Sequence, residues 1–108
     1  MDETAKAEIR ERILKIVADL SPKATFRPMY GGTVIEMCTA DPETRITGVF
    51  AYTKYASLES TNGIILDDPH KVLEGSGKVR RHIKLHSLRD IVTKDCLTFL
   101  KQVFKIPA

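Results

Sequence analysis

The period of the hydrophobic pattern changes twice along this chain, and that change limits the folds it can adopt. Near the N-terminus the apolar residues recur every three or four positions, as on one face of a helix. The middle of the chain alternates with a period of two, which is typical of strands. Helical spacing returns after Ser87. The two apolar stripes are Ile9, Ile13, Ile16, Val17 and Leu20, then Ile91, Val92, Leu97, Leu100, Val103 and Phe104.

Between the helices the sequence predicts several strands joined by short turns. The first helix is expected over residues 4–20 and ends at Ser21, because the residue before a proline is driven out of the helical region. The predicted strands, after a corner at Gly31-Gly32, are 33–38, then a hairpin of 46–53 and 55–61, and finally 79–86. One helical turn is expected at 69–73.

These elements predict an α+β fold of two layers. We expect an antiparallel sheet of about five strands, with the N-terminal and C-terminal helices packed on one face. At 108 residues the chain is long enough for one domain, 1–108, with a single core. Segments 33–38 and 79–86 are expected at sheet edges, where they can pair between subunits, so both monomer and homodimer stay open.

The apolar runs are short, and the N-terminus is charged from its second residue. We therefore expect neither a membrane span nor a signal peptide, and a cytoplasmic location. Cys38 and Cys96 each have small or apolar neighbours and do not form a C-x-x-C pair, so both are expected to be buried, reduced thiols.

The net charge of +3 is concentrated in one segment. Residues 70–89 carry six cations against a single carboxylate, Glu74, and the segment also contains all three histidines. Alternation over 79–86 puts the basic side chains on an exposed strand face. The candidate anion-binding residues are Lys78, Arg80, Arg81 and Lys84, with Arg89 beyond them. The alternative is a solvated strand entered through a Gly75-Ser76-Gly77 hinge.

That glycine-rich segment does not match a nucleotide-binding loop. A phosphate loop needs a glycine five residues before the Gly-Lys pair and a hydroxyl residue after the lysine, and valines occupy both positions. No nucleophile and base are singled out by their spacing, so no catalytic residue is named and a binding protein is favoured over an enzyme. With 6% aromatic residues and no tryptophan, nucleic acid is not the expected partner.

A compact acidic segment is the candidate metal site. Asp67, Asp68 and His70 put two carboxylates beside an imidazole, a donor set that suits a hard or borderline divalent ion. The same Asp-Asp-Pro sequence is also typical of a turn or helix start.

Several residue blocks resemble the YdhG-like family of small bacterial domains of unknown function. The blocks lie between residues 23 and 104 and are Met29-Tyr30-Gly31-Gly32, Phe50-Ala51-Tyr52, Tyr55-Ala56-Ser57-Leu58-Glu59, Thr61-Asn62-Gly63, Leu66-Asp67-Asp68-Pro69, Leu73-Glu74-Gly75-Ser76-Gly77-Lys78 and Arg80-Arg81-His82-Ile83-Lys84-Leu85. Some members are described as frataxin-like iron chaperones. The resemblance therefore implies a compact α+β domain that binds iron(II) and passes it to a protein partner.

Frataxins carry a dense acidic ridge on the first helix and first strand. In that region this chain has the acids Asp2, Glu3, Glu8, Glu11 and Asp19, with Lys6, Arg10, Arg12 and Lys15 interleaved, so the ridge residues Asp2, Glu3, Glu8 and Glu11 are the weaker metal candidates. Two hypotheses follow. The first is a non-catalytic binding protein, with frataxin-like iron delivery as its most specific form. The second is a protein- or nucleic-acid-interaction module that uses the basic segment 78–89.

Overall fold

A computed structural model describes residues 2–29, 31–39 and 41–106. Within them the chain forms three α-helices, five strands and two short 3₁₀ turns. The helices are α1 (Glu3–Leu20), α2 (Leu88–Thr93) and α3 (Cys96–Val103), and the strands are β1 (Thr25–Met29), β2 (Gly32–Glu36), β3 (Arg45–Ala51), β4 (Ala56–Ser60) and β5 (Arg81–Leu85). The 3₁₀ turns cover Pro42–Thr44 and Gly63–Ile65.

Helix α1 matches the predicted N-terminal helix and begins one residue earlier. The Asp2 carboxylate accepts a hydrogen bond from the Ala5 backbone N–H at 2.7 Å, which satisfies one of the free donors of the first turn. The helix ends at Ser21, before the proline, as predicted. Ile9, Ile13 and Val17 are fully buried, so the helical stripe faces the core.

The strands form one antiparallel sheet in sequence order, from β1 to β5. The predicted hairpin is β3 and β4, in which Val49 lies opposite Leu58. Val49, Leu58 and Ile83 share the helix-side face of the sheet, while Phe50 and Glu59 point to the opposite, outer face. The α+β fold with helices packed on the sheet is confirmed.

A single apolar core joins the two layers. Its members come from all three helices and from strands β2 to β5: Ile9, Ile13, Val17, Ile35, Val49, Ala56, Leu58, Ile83, Leu85, Ile91, Cys96, Phe99 and Leu100. Burial of this apolar surface is the main driving force for folding. Within the described residues, no helix is both long and apolar enough to cross a membrane.

The structure corrects several local predictions in the second half of the chain. Residues 69–73 do not form a helical turn: 69–70 are a turn and 71–73 have no regular structure. The Asp68 carboxylate accepts hydrogen bonds from the backbone N–H groups of Val72 and Leu73, at 2.8 and 2.9 Å, so these donors are satisfied by a side chain and not by a helical carbonyl. The last strand is also shorter than predicted, because the Val79 carbonyl accepts from Ile64 N–H instead of joining the sheet.

The C-terminal helix is divided in two. Asp95 has a left-handed backbone (φ 57°), and this residue separates α2 from α3. Ser87 is the N-cap of α2, but its side chain makes no capping hydrogen bond. The Asp90 carboxylate accepts from the backbone N–H of His86, the residue before this N-cap, at 2.8 Å, so the contact is not that of a capping box.

The predicted position of β2 in the sheet and the predicted burial of Cys38 are also wrong. Strand β2, the predicted edge 33–38, lies between β1 and β3 and is paired on both sides, whereas β5 is an edge as predicted. Cys96 is buried as expected, but Cys38 is exposed. Cys38 follows the end of β2, where the chain has left the core.

Candidate functional site

The predicted metal residues lie in the loop after the second 3₁₀ turn. Asp68 uses both carboxylate oxygens to accept the two backbone N–H groups described above. The Asp67 backbone exchanges two hydrogen bonds with the Gln102 side-chain amide of α3, at 2.7 and 3.1 Å, so this loop is tied to the last helix. The Asp67 and His70 side chains are exposed.

The structure brings these three residues to one cavity of about 270 Å³ between the loop and α3. Asp95, at the break between α2 and α3, also lines that cavity, a neighbour that sequence spacing does not reveal. Even so, no group of three or more histidine, cysteine, aspartate or glutamate side chains within the described ranges is arranged to hold a metal ion. Metal binding by Asp67, Asp68 and His70 therefore stays a prediction.

The N-terminal acids do not form a continuous ridge. Asp2 caps α1, and Glu3 pairs with Lys6 at 2.8 Å. Glu8 and Glu11 are exposed one turn further along and share a shallow surface depression with Arg12 and Lys15. These interleaved cations lower the negative potential that would attract a metal ion.

The predicted anion-binding residues fall into two groups. Arg81 is folded back, with its Nη1 donating to the carbonyls of Gly77 and Arg80 at 2.7 and 2.6 Å. Lys84 lies 3.6 Å from the Glu74 carboxylate and 5.2 Å from the centre of the Tyr55 ring. These two cations are therefore engaged within the chain.

By contrast Lys78 and Arg80 are exposed, and neither belongs to an ion pair among the described residues. Arg89 is also exposed, but it lies on α2.

The tertiary structure adds two cations to Arg80 at one end of the sheet. Two adjoining cavities open there, and both have Arg45, the first residue of β3, in their walls. Arg80, which precedes β5, lines the cavity on the outer face, and Lys105, which follows α3, lines the cavity on the helix side. We call Arg45, Arg80 and Lys105 the basic end. Among the described residues, Glu59 is the one carboxylate in either wall.

Arg45 belongs to an ion cluster centred on a buried carboxylate. Glu36, on the outer face of β2, is only 1% exposed, and its oxygens accept from Arg45 Nε at 3.0 Å and from Arg27 Nε at 3.2 Å. The hydrogen bond from Arg45, with that from Arg27, lowers the pKa of Glu36 below its usual 4.5, although burial opposes this. Two arginines share one carboxylate, so the cluster keeps one net positive charge.

This cluster is absent from the predicted sites, although the sequence contains a hint of it. Glu36 is the lone acid in an otherwise apolar strand, and a buried carboxylate requires cationic partners. Those partners lie nine residues away on either side, at Arg27 and Arg45, and only the antiparallel register brings them to Glu36.

The rest of the outer face is partly covered by its own aromatic side chains. The Tyr52 ring lies 5.1 Å from the Tyr55 ring, and its hydroxyl donates to Glu59 at 2.9 Å. Burial, together with this bond to Glu59, raises the pKa of Tyr52 to about 12. Ser57 lies between Tyr55 and Glu59 on the same face, and its hydroxyl is buried without a hydrogen-bond partner among the described residues.

Comparisons of this chain with family models, curated proteins and solved structures found no match.

Proposed function

We propose that this chain is a non-catalytic binding domain that takes an anionic partner at the basic end. The observation that carries this proposal is the convergence of Arg45, Arg80 and Lys105, from three distant parts of the sequence, on two adjoining cavities with one carboxylate between them. It is the interaction-module hypothesis, with part of its residue set changed. Of the cations predicted from the sequence, Arg80 belongs to the basic end and Lys78 lies two residues before it. Arg81 and Lys84 are left out, and Arg45 and Lys105 take their place.

Exposure makes Arg80 and Lys105 available for binding, whereas Arg45 is already paired with Glu36 and contributes the net positive charge of that cluster. A surface charge already paired within the chain gains little from a ligand, because the existing partner must first be released. Arg80 and Lys105 are exposed and belong to none of the ion pairs formed by the described residues. An anion that approaches them exchanges only water and counterions, so its affinity depends on salt.

The environment of Cys96 supports a binding role over nucleophilic chemistry at this residue. Burial raises the pKa of Cys96 to about 12, so this thiol stays protonated at neutral pH, whereas nucleophilic attack needs the thiolate. A cytoplasmic location belongs to the same proposal, as does membership of the YdhG-like bacterial family.

Titration with inorganic polyphosphate, a pure polyanion, tests the basic end. We expect Arg80→Ala combined with Lys105→Ala to weaken binding about tenfold at low salt, and to reduce the slope of log K against log salt by about one to two. Lys23→Ala with Lys54→Ala is the matched control, because it removes the same charge from exposed positions elsewhere. Equal losses in the two double variants would mean that net charge alone attracts the anion, and would reject the site.

Iron delivery is the second candidate function, favoured by the cavity that brings Asp67, Asp68 and His70 together with Asp95. An anaerobic iron(II) titration followed by NMR tests it through amide broadening around residues 67–70. Asp67→Asn and His70→Ala are the informative variants, since Asp68 also holds the loop backbone. We expect them to abolish selective broadening, whereas Glu43→Gln, at an exposed acid outside the cavity, leaves it unchanged. Absence of selective broadening at millimolar iron would reject this candidate.

A further inference from the structure

The basic end is bordered by exposed aliphatic side chains as well as by cations. Ile64 and Ile65, in the second 3₁₀ turn, are 54% and 68% exposed, and Val79 is 44% exposed. The Ile64 N–H donates to the Val79 carbonyl at 3.0 Å, so these residues lie side by side. A group of large exposed aliphatic residues is characteristic of an interaction surface.

The cavity between Arg45 and Lys105 is itself largely apolar. It has a volume of about 220 Å³, and its aliphatic wall is formed by Ile46, Ile65, Leu66 and Val103. A cavity of about 150 Å³ can hold a benzene molecule, so this one has room for a large apolar side chain. Ser60, Thr61 and Asn62 add polar groups from the end of β4.

Cations beside an aliphatic cavity wall favour some kinds of anionic partner over others. Polyphosphate can satisfy the cations but leaves the aliphatic wall in water. Single-stranded nucleic acid gains affinity by stacking its bases on aromatic rings, and the described walls of this cavity contain no aromatic residue. An acidic protein segment can offer carboxylates to the cations and an apolar side chain to the cavity.

We propose that the basic end binds an acidic protein segment, which inserts one large apolar side chain into the cavity between Arg45 and Lys105. Carboxylates on either side of that side chain meet Lys105 and Arg80. The proposal rests on the proposed function and adds the chemistry of the partner. Charge complementarity selects acidic segments, and the aliphatic wall selects those with an apolar anchor.

Two synthetic peptides provide the first test. One has a central phenylalanine flanked by glutamates, and the other has alanine in place of the phenylalanine. We expect the phenylalanine peptide to bind about tenfold more tightly, because burial of an aromatic side chain in an apolar site is worth a factor of this size. Ile65→Ser should remove most of that difference, whereas Val92→Ser, at an aliphatic residue of α2 that is 78% exposed, should leave it unchanged.

The outcomes distinguish this inference from the function on which it rests. If both peptides bind equally and both depend on Arg80 and Lys105, the apolar anchor is overturned and anion binding stands. Tighter binding of an oligonucleotide that is insensitive to Ile65→Ser would also overturn the inference. If neither polyphosphate nor the peptides respond to loss of Arg80 and Lys105, the proposed function fails and the inference fails with it.

Discussion

Glu36 shows how one residue on an open sheet face can be buried by its neighbours. Its carboxylate lies on the side of β2 away from the helices, yet it is almost inaccessible because Arg27 and Arg45 cover it. A buried carboxylate that lost these partners would be an uncompensated charge. The ion pair with Glu36 also holds the Arg45 side chain in place, so Glu36 helps to position one cation of the basic end.

Glu36 should give the protein a distinct acid sensitivity. Because its pKa is lowered in the folded state, its stabilisation is fully present above the usual value of 4.5 and is lost as the pH falls through the folded pKa. We expect Glu36→Gln to be less stable than wild type at pH 7 and to lose less stability on acidification below pH 4.5. Urea unfolding from pH 7 to pH 3 measures both effects, with the exposed Glu43→Gln as control. Parallel pH profiles for wild type and Glu36→Gln would contradict the assignment.

The two cysteines should differ sharply in reactivity. Cys38 is exposed, whereas Cys96 is buried and its pKa is raised to about 12 by that burial. We expect a thiol reagent at pH 8 to modify Cys38 readily, and Cys96 slower by about two orders of magnitude or more, at the rate of protein opening. Mass spectrometry of Cys38→Ser against Cys96→Ser separates the two rates. Equal rates in the native protein would show that Cys96 is accessible.

At the scale of elements, Gly32 of β2 and Gly48 of β3 allow the Phe50 side chain to pack closely on the outer face of the sheet. A Cβ atom on Gly32 would lie 2.3 Å from the Val49 carbonyl oxygen and 2.7 Å from Phe50 Cα and Cδ1. The Phe50 ring thus lies against the backbone of β2, and it also lies close to Gly48 on its own strand. These glycines let the Phe50 ring approach the backbone closely on the face of the sheet opposite the helices.

Gly32→Ala should therefore disturb the pairing of β2 with β3. We expect a loss of about 1–3 kcal/mol in the free energy of unfolding, since an added methyl group must move backbone as well as the Phe50 ring. Gly77→Ala is the matched control, because a Cβ there meets no atom within 4 Å and should change stability by less than about 0.5 kcal/mol. Urea unfolding measures both variants, and similar losses would argue against the close approach at Gly32.

The order and type of the elements followed largely from local pattern, whereas several of their ends did not. The stripe of α1 and the alternation in β3 and β4 each have one apolar face, and burial of that face fixes the element. The division between α2 and α3 carries no such signal. Asp95 takes a left-handed conformation, and Lys94 Nζ donates to the Lys84 carbonyl of β5 at 2.7 Å. Helical periodicity gives no sign of this hydrogen bond between the end of α2 and strand β5.

At the scale of the whole molecule, one core connects the helices to the sheet. Because its members come from three helices and four strands, the layers are expected to unfold together. The proposed binding surface at the basic end is assembled from chain segments near residues 45, 80 and 105, and it exists only while this core holds them in place.

Leu100→Ala tests this cooperativity. Leu100 is fully buried on α3, and its truncation should cost about 2–5 kcal/mol by loss of burial and creation of a cavity. Helical circular dichroism and tyrosine fluorescence, to which Tyr52 and Tyr55 of the outer face contribute, should shift to the same lower urea midpoint. Leu97→Ala, at a partly exposed neighbour, should have a smaller effect. Separate midpoints for the two signals would show that helices and sheet unfold independently.

The sequence alone determined the α+β class, the element order and the strand faces, because each depends on the spacing of apolar residues along a short stretch of chain. It also identified the exposed cations Lys78 and Arg80. Only the tertiary structure decided which charges meet. Antiparallel register brought Arg27 and Arg45 to Glu36, the Gly77 carbonyl engaged Arg81, and the return of α3 placed Lys105 near Arg45. Electrostatic interactions act through space between residues far apart in the chain, so their partners follow from the fold.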